Sequence, residues 1–188
     1  MKLIAPFLTA VWLIVLLVPS AGQAQDTEEE IIAEAESAGI PEIAAEATIL
    51  DQEGNVVREG TNEWTCMAHP GGPMCLDEEW QSWLDAYVNQ DDEVEVNALG
   101  IAYMLRGDHG VSNIDPFAEE PTDDNEWVTT GPHMMLVVPD EALLEGLPTE
   151  PWEGGPYVMW RDTPFVHVMI PLEEDGVTMY EVEGPNQR

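Results

Sequence analysis

The sequence predicts an α+β fold: a mostly antiparallel β-sheet or open sandwich with one amphipathic helix packed on it. The first observation behind this is that apolar residues recur at helical spacing between positions 76 and 89. The second is that, from residue 93 onward, short β-forming runs alternate with Gly, Pro, Asn and Asp. Short strands between frequent turns are typical of an antiparallel sheet, and the helix needs a surface against which to bury its apolar face.

The helix is predicted over residues 76–89, where Asp77 can cap the first turn by accepting a hydrogen bond from a free backbone N–H. Its apolar face consists of Leu76, Trp80, Trp83, Leu84, Tyr87 and Val88. Two tryptophans on one face indicate either core packing or an aromatic platform for a ligand. Core packing is the simpler interpretation.

The remaining elements are expected to be strands. A β-hairpin is predicted over residues 47–60, because branched residues flank a turn at Gly54-Asn55. The later candidate strands cover residues 93–105, 132–138, 157–160, 165–171 and 177–182. Residues 25–46 are rich in Glu and Ala and are broken by Gly39-Ile40-Pro41. We expect them to form an acidic, partly disordered N-terminal segment, in which a short helix can form, ahead of a single β-rich domain at 47–188.

Residues 1–24 have the three parts of a secretory signal peptide. A basic start at Lys2 precedes an apolar run, and small residues at Gly22 and Ala24 place the cut before Gln25. An uncleaved membrane anchor is the alternative, although the run is shorter than the roughly 20 apolar residues that span a bilayer. The signal predicts an exported protein, periplasmic or extracellular.

The chain after residue 24 is strongly acidic. It carries all 38 Asp and Glu residues against four arginines, a formal net charge of −34, because the only lysine is Lys2. Nucleic acid and anionic membrane surfaces are excluded as partners, since binding either one needs Lys or Arg. The acidity indicates a solvated surface adapted to salt. Calcium binding by carboxylate clusters is the alternative.

Two cysteines, Cys66 and Cys75, flank Met-Ala-His-Pro-Gly-Gly-Pro-Met. An even count in an oxidising compartment favours a disulfide, and Pro-Gly-Gly-Pro can bend the chain between them. Closing so short a loop contributes roughly 2.5–3 kcal/mol in the chain-entropy model. A Cys-His-Cys metal site that includes His69 is the alternative.

Six short motifs resemble a family of exported bacterial proteins of unknown function. They are Thr61-Asn-Glu-Trp-Thr-Cys66, Pro73-Met-Cys75, Gly100-Ile-Ala-Tyr-Met-Leu105, Asn113-Ile-Asp-Pro-Phe117, Thr130-Gly-Pro-His133 and Gly155-Pro-Tyr-Val-Met-Trp160. The resemblance covers roughly residues 45–172. It implies no activity, substrate or cofactor. Members of the family have a longer segment between the two cysteines, so the resemblance assigns no role to His69.

Several enzyme classes are excluded. Without a lysine after the signal there is no Schiff-base catalysis and no phosphate-binding P-loop, and neither Gly-x-Ser-x-Gly nor His-Glu-x-x-His occurs. The loop from Asp108 to Asp115 brings together His109 and Ser112, which suggests a secreted hydrolase using that loop or paired carboxylates. The ordinary interpretation is a hydrogen-bonded loop, because the members of a triad usually converge from separate elements.

The last pattern pairs histidine with methionine. His133 and Met135 share one face of a predicted strand, as do His167 and Met169. If the strands are neighbours with these faces together, two imidazoles and two thioethers converge. Such a ligand set suits copper, and the same ligand types can serve a haem iron. The alternative is that the methionines fill the core and the histidines are hydrogen-bonded.

These observations predict an exported, non-catalytic domain that binds a small ligand, a metal or a partner protein. A secreted hydrolase is the alternative from a different class. The two differ in what they require: an enzyme needs a cleft in which the loop from Asp108 to Asp115 meets a second polar group of perturbed pKa.

Overall fold

The computed structural model describes residues 27–180 of the 188-residue chain. The predicted signal peptide at 1–24 lies outside the described residues. Within 27–180 there is no helix that is long and apolar enough to cross a membrane.

The strands form two sheets. In chain order they are β1 (Thr48–Leu50), β2 (Val56–Arg58), β3 (Thr65–Met67), β4 (Met74–Leu76), β5 (Gly100–Met104), β6 (Val111–Ser112), β7 (Trp127–Thr130), β8 (His133–Val137), β9 (Tyr157–Met159), β10 (His167–Pro171) and β11 (Val177–Met179). Eight of them lie side by side in the order β2-β1-β3-β4-β5-β8-β10-β9, and the other three in the order β11-β7-β6. Among the described strands only β1 and β3 pair in parallel. The predicted α+β class, with a mostly antiparallel sheet, is confirmed.

The hairpin at the start of the sheet is also confirmed, with β1 antiparallel to β2 and Ile49 opposite Arg58. Its turn is held by the Asp51 carboxylate, which accepts hydrogen bonds from the N–H groups of Glu53 at 3.0 Å and Asn55 at 2.8 Å. Gly54 has a φ of 82°. The turn therefore needs the left-handed conformation that glycine adopts without strain.

Within residues 27–180 three α-helices accompany the sheets: α1 (Glu28–Glu36), α2 (Pro41–Ala44) and α3 (Glu78–Asn89). Two short 3-10 helices lie at Glu141–Leu144 and Pro151–Glu153. Helix α3 is the predicted amphipathic helix. Leu76 ends strand β4 instead of starting the helix, and Asp77 caps the helix by accepting the Trp80 N–H at 3.0 Å. The other Asp77 carboxylate oxygen accepts the Ile101 N–H at 2.6 Å, which ties the helix to β5. The helix lies close to the sheet at Gly100, where a Cβ would stand 2.7 Å from Glu79 Cβ.

Residues 27–46 belong to the segment predicted to be acidic and partly disordered, and in the structure they form helices α1 and α2. Thr27 and Glu30 form a capping box at the start of α1. The alanines Ala35, Ala38 and Ala44 are buried with Ile49 and both cysteines in one cluster. The Arg58 guanidinium fastens this segment to the sheet. It pairs with Glu36 at 2.6 Å and donates to the Ala44 carbonyl at 2.9 Å. Composition suggested disorder, but small side chains permit close packing on the sheet.

The predicted disulfide is confirmed, since Cys66 and Cys75 are bonded to each other. They lie directly opposite one another on β3 and β4, and both are fully buried. The alternative Cys-His-Cys site is wrong, because neither sulfur is free to bind a metal as thiolate. His69 instead shapes the turn between the strands, where its Nδ1 accepts the Gly71 N–H at 3.0 Å.

The later strands match the predicted segments but are shorter. The segment 93–105 contributes only Gly100–Met104, and the segments that begin at 132, 157, 165 and 177 each contribute three to five residues. Strands β3, β4, β6 and β7 were not predicted. The first two flank the disulfide turn, and β6 lies inside the loop expected at 107–115.

Candidate functional site

A cavity of about 500 Å³ lies between α3, the inner face of the large sheet and the loops that carry Pro70 and Asp108. All four histidines of the chain line it: His69, His109, His133 and His167. Five of the nine methionines line it as well: Met74, Met104, Met135, Met159 and Met169. The remaining wall is largely aromatic and includes Trp80, Trp83, Tyr87, Trp127 and Trp160. Volume and lining match those of small-ligand sites, which are mostly apolar with a few polar groups.

The structure brings the four predicted metal-site residues onto one surface. Strands β8 and β10 are hydrogen-bonded neighbours, and His133, Met135, His167 and Met169 are all buried and all line the cavity. Alternation along each strand places them on the face that α3 covers. The two geometric conditions for their convergence, adjacent strands and a shared face, are therefore met.

The antiparallel register nevertheless separates the two imidazoles. Met135 lies directly opposite Met169, whereas His133 lies opposite Pro171. His133 and His167 therefore flank the pair of methionines from opposite ends. Their levels differ by four residue positions, which corresponds to roughly 13 Å along the strands. This register therefore does not place all four side chains in one coordination sphere. The sequence could not show this, because parallel strands would have aligned histidine with histidine.

Both histidines present the same tautomer. His133 Nδ1 lies 2.7 Å from the Gly131 carbonyl oxygen, and His167 Nδ1 lies 3.0 Å from that of Phe165. A carbonyl can only accept, so Nδ1 carries the proton in each ring, and Nε2 of the neutral ring has a free lone pair. His133 is fully buried, and its Nε2 has no hydrogen-bond partner among the described residues.

Burial keeps these rings neutral. It lowers the pKa of His167 to about 4, although the hydrogen bond to Phe165 acts in the opposite direction. Burial likewise lowers the pKa of His133, against the effects of the Gly131 carbonyl and the nearby Asp108 carboxylate. Removing a charged imidazole from water is unfavourable, which is the common cause of both shifts.

The aromatic wall encloses His167. Its ring meets three indoles edge-on, with ring centroids 5.5 Å from Trp80, 5.4 Å from Trp83 and 4.9 Å from Trp160. Trp83 also stacks parallel to Tyr87. Core packing of Trp80 and Trp83 is confirmed, and both side chains also line the cavity. Their Nε1 atoms are buried without a hydrogen-bond partner in the described part of the chain.

The loop from Asp108 to Asp115 does not assemble a local triad. Ser112 Oγ donates to the Asn125 carbonyl at 2.6 Å and accepts N–H groups from the two residues that follow Asn113. His109 Nδ1 donates to the Pro70 carbonyl at 2.8 Å. Ser112 therefore holds the turn itself, and His109 joins the loop to the one that carries Pro70, so this is a hydrogen-bonded loop, as the ordinary interpretation expects.

Asp108 is the one member of that loop with a perturbed carboxyl in the cavity wall. Burial raises its pKa, while N–H groups of Thr130 and Gly110 and the neighbouring His133 act to lower it. Its oxygens accept the Thr130 N–H at 3.1 Å and the Gly110 N–H at 2.8 Å. These bonds fix the loop against β7, so the carboxylate has a structural task already.

Sequence reasoning missed part of the site. Met104 lies opposite His133 on β5, Met159 lies opposite His167 on β9, and Met74 of β4 lines the same cavity. The methionines themselves are visible in the sequence. That they share one face of the sheet depends on how the strands pair, and the sequence does not show that pairing.

In comparisons with known proteins, no family model, no curated protein and no solved structure matches the chain. Residues 27–180 contain no group of three or more His, Cys, Asp or Glu side chains placed to hold a metal ion. Fold and site together define an α+β protein with a thioether-rich and aromatic cavity between its main helix and its sheet.

Proposed function

We propose that this chain is an exported, non-catalytic protein that binds a small, largely apolar ligand in the cavity beneath α3. The observation that carries the proposal is a set of three buried polar atoms that have no hydrogen-bond partner within residues 27–180: Nε1 of Trp80, Nε1 of Trp83 and Nε2 of His133. All three side chains line the cavity. Leaving such a group unpaired costs about 1–3 kcal/mol, and a ligand that pairs with them recovers this energy.

The unpaired atoms also indicate which polar groups the ligand carries. Two indole N–H groups can only donate, so the ligand carries an acceptor such as a carbonyl or ether oxygen. The His133 lone pair accepts, so a ligand O–H or N–H suits it. Anionic ligands are disfavoured by the net charge of −33, to which 38 acids contribute. A neutral or cationic molecule with an apolar body fits best.

Export rests on three supports: the predicted signal at 1–24, the Cys66–Cys75 disulfide and the resemblance to exported bacterial proteins. Disulfides persist mainly in oxidising compartments. A periplasmic or extracellular protein of this charge remains soluble and does not adhere to nucleic acid or anionic lipid.

The hydrolase alternative has one favourable observation, namely that Asp108 and His133 line the same cavity with opposed pKa shifts. Such pairs occur in acid–base catalysis. A binding site explains the cavity with fewer requirements, because Asp108 already accepts two backbone N–H groups and Ser112 is held within its turn.

The test uses N-phenyl-1-naphthylamine, a neutral probe that fluoresces in apolar surroundings. We expect saturable enhancement with one probe per chain. Ala118→Trp places an indole at the mouth, since Ala118 lines the cavity, and should abolish the enhancement. Ala45→Trp is the matched control, because Ala45 is exposed beyond α2. Thermal melts confirm that both variants fold. Equal enhancement in the two variants, or no saturation, would contradict the proposal.

A further inference from the structure

We infer that the cavity also holds a site for one soft monovalent metal ion, Cu(I), bound by the thioether sulfurs of Met135 and Met169 and by Nε2 of His133. The site rests on the proposed function only in that the cavity must admit solutes. The ion and the organic ligand share one atom, Nε2 of His133, so the two compete for that lone pair, whereas the sulfurs of Met135 and Met169 serve the ion alone.

The two sulfurs come from a directly paired position in the sheet. Met135 and Met169 face each other across β8 and β10, are 7% and 2% exposed, and line the same cavity. Residues opposed in this way have Cβ atoms about 4.5–5.5 Å apart. Because the methionine side chain has three flexible torsions, the two sulfurs can close on one ion without movement of the backbone.

The nitrogen comes from the same strand. His133 precedes Met135 by two positions and therefore shares its face. The hydrogen bond from Nδ1 to Gly131 fixes the ring and leaves the Nε2 lone pair free, which is the usual arrangement of histidines that bind metals. Nε2 is buried and has no hydrogen-bond partner in the described part of the chain, so an ion would supply one.

We assign His133, not His167, as the nitrogen ligand of the ion, because the two rings have different surroundings. The ring of His167 packs edge-on against three indoles. His133 faces a different neighbourhood, with Met104 opposite it on β5 and Asp108 close enough to affect its protonation. Met104 and the half-buried Met74 line the cavity as well and are further soft donors in its wall.

The ligand types select the ion. Thioethers are soft and imidazole is intermediate, a combination that suits Cu(I), whereas Mg²⁺ and Ca²⁺ require oxygen ligands. A single positive charge is also the least costly to bury, and the negative field of the protein attracts cations to it.

Silver(I) is the probe, because it has the ligand preferences of Cu(I) but needs no reductant that could open the disulfide. Titration calorimetry in chloride-free buffer should show one Ag(I) per chain. Met135→Leu and Met169→Leu should each weaken binding by at least about tenfold, and so should His133→Gln. These leucine substitutions conserve volume and leave the fold intact.

Met134→Leu is the matched control, because Met134 is the next residue on β8 and points to the other face, opposite Ile170. Its affinity should equal that of the wild type. His167→Gln should also retain binding. In addition, ¹³C-methyl methionine spectra should show Ag(I)-dependent shifts at positions 135 and 169 and none at 134.

Two results overturn the inference: unchanged affinity in Met135→Leu and Met169→Leu, or equal losses in Met134→Leu. Its failure is distinct from failure of the proposed function. Naphthylamine binding that persists in Met135→Leu while no variant binds Ag(I) removes the metal site alone. Ag(I) binding without saturable naphthylamine binding removes the organic ligand alone.

Discussion

Each buried histidine donates its Nδ1–H to the carbonyl of the residue two positions earlier, His133 to Gly131 and His167 to Phe165. The same local bond recurs at the first residue of two paired strands, β8 and β10. It fixes the tautomer without help from another side chain. A histidine at such a strand start therefore arrives in the cavity as a neutral ring with a free Nε2.

His167 should make stability dependent on pH. The pKa of His167 is about 4 in the folded protein and about 6.5 in the unfolded chain. Between these two pH values His167 is mostly protonated in the unfolded chain and mostly neutral in the folded protein. The contribution of neutral His167 to the free energy of unfolding is therefore fully present above pH 6.5. It is lost as the pH falls toward 4, and the loss is about 3 kcal/mol at most.

Urea unfolding of the wild type and of His167→Gln at pH 7 and pH 4.5 isolates this effect from the titration of the carboxylates. The stability advantage of the wild type should shrink at the lower pH. An advantage that is the same at both values would show that His167 is not held neutral.

The donors could be recognised in the sequence, but their arrangement could not. The spacing of His133 with Met135, and of His167 with Met169, correctly indicated two shared faces. Whether His133 lies opposite another histidine or opposite Pro171 depends on strand direction and register. The alternation of side chains along a strand does not determine either one. The unpaired Nε1 atoms of the two tryptophans are likewise a result of packing.

Helix α3 depends on one carboxylate. Asp77 caps the helix through the Trp80 N–H and also accepts the Ile101 N–H from β5. The first contact is local and is visible in the sequence as a capping residue. The second joins the helix to the central part of the sheet and thus sets the roof of the cavity.

We therefore expect Asp77→Ala to lower the free energy of unfolding by about 2–3 kcal/mol, which combines the loss of a cap with one orphaned N–H. Ser82→Ala on the exposed side of α3 is the control and should change it by less than about 0.5 kcal/mol. Urea denaturation measures both. Similar small losses in the two variants would show that the link to Ile101 contributes nothing.

Elements with a strong local pattern were predicted, and those without one were missed. The apolar face of α3 and the turn at Gly54 were sufficient for the helix and the first hairpin. Strands β3 and β4 have three residues each, too few for alternation to emerge beside a Pro-Gly-Gly-Pro turn. A short helix was allowed in the N-terminal segment, but α1 could not be placed because its buried alanines carry little hydrophobic signal.

At the scale of the whole molecule, charge is very unevenly balanced. The chain has 38 acidic residues against five basic ones, and within the described residues a single salt bridge forms, between Arg58 and Glu36. Most carboxylates therefore repel one another across the surface. This repulsion opposes folding at low ionic strength.

The melting temperature should consequently rise between about 10 mM and 1 M sodium chloride, as the Debye length falls from about 30 Å to 3 Å. Sucrose at equal osmolality is the control for excluded-solute effects and should give a smaller rise. A melting temperature that does not change with salt would mean that the acids are spaced too widely to interact.

The cavity can bind a ligand only after the segments that form its walls have come together during folding. Cys66 and Cys75 are separated by 9 positions and can meet early. The cavity draws on α3, β5, β8, β9 and β10, so its walls meet only after the long-range strand pairs have closed, and such pairing is slow. If the predicted signal at 1–24 exports the chain in an unfolded state, the chain crosses the membrane before the cavity exists, and a ligand can bind there only on the far side.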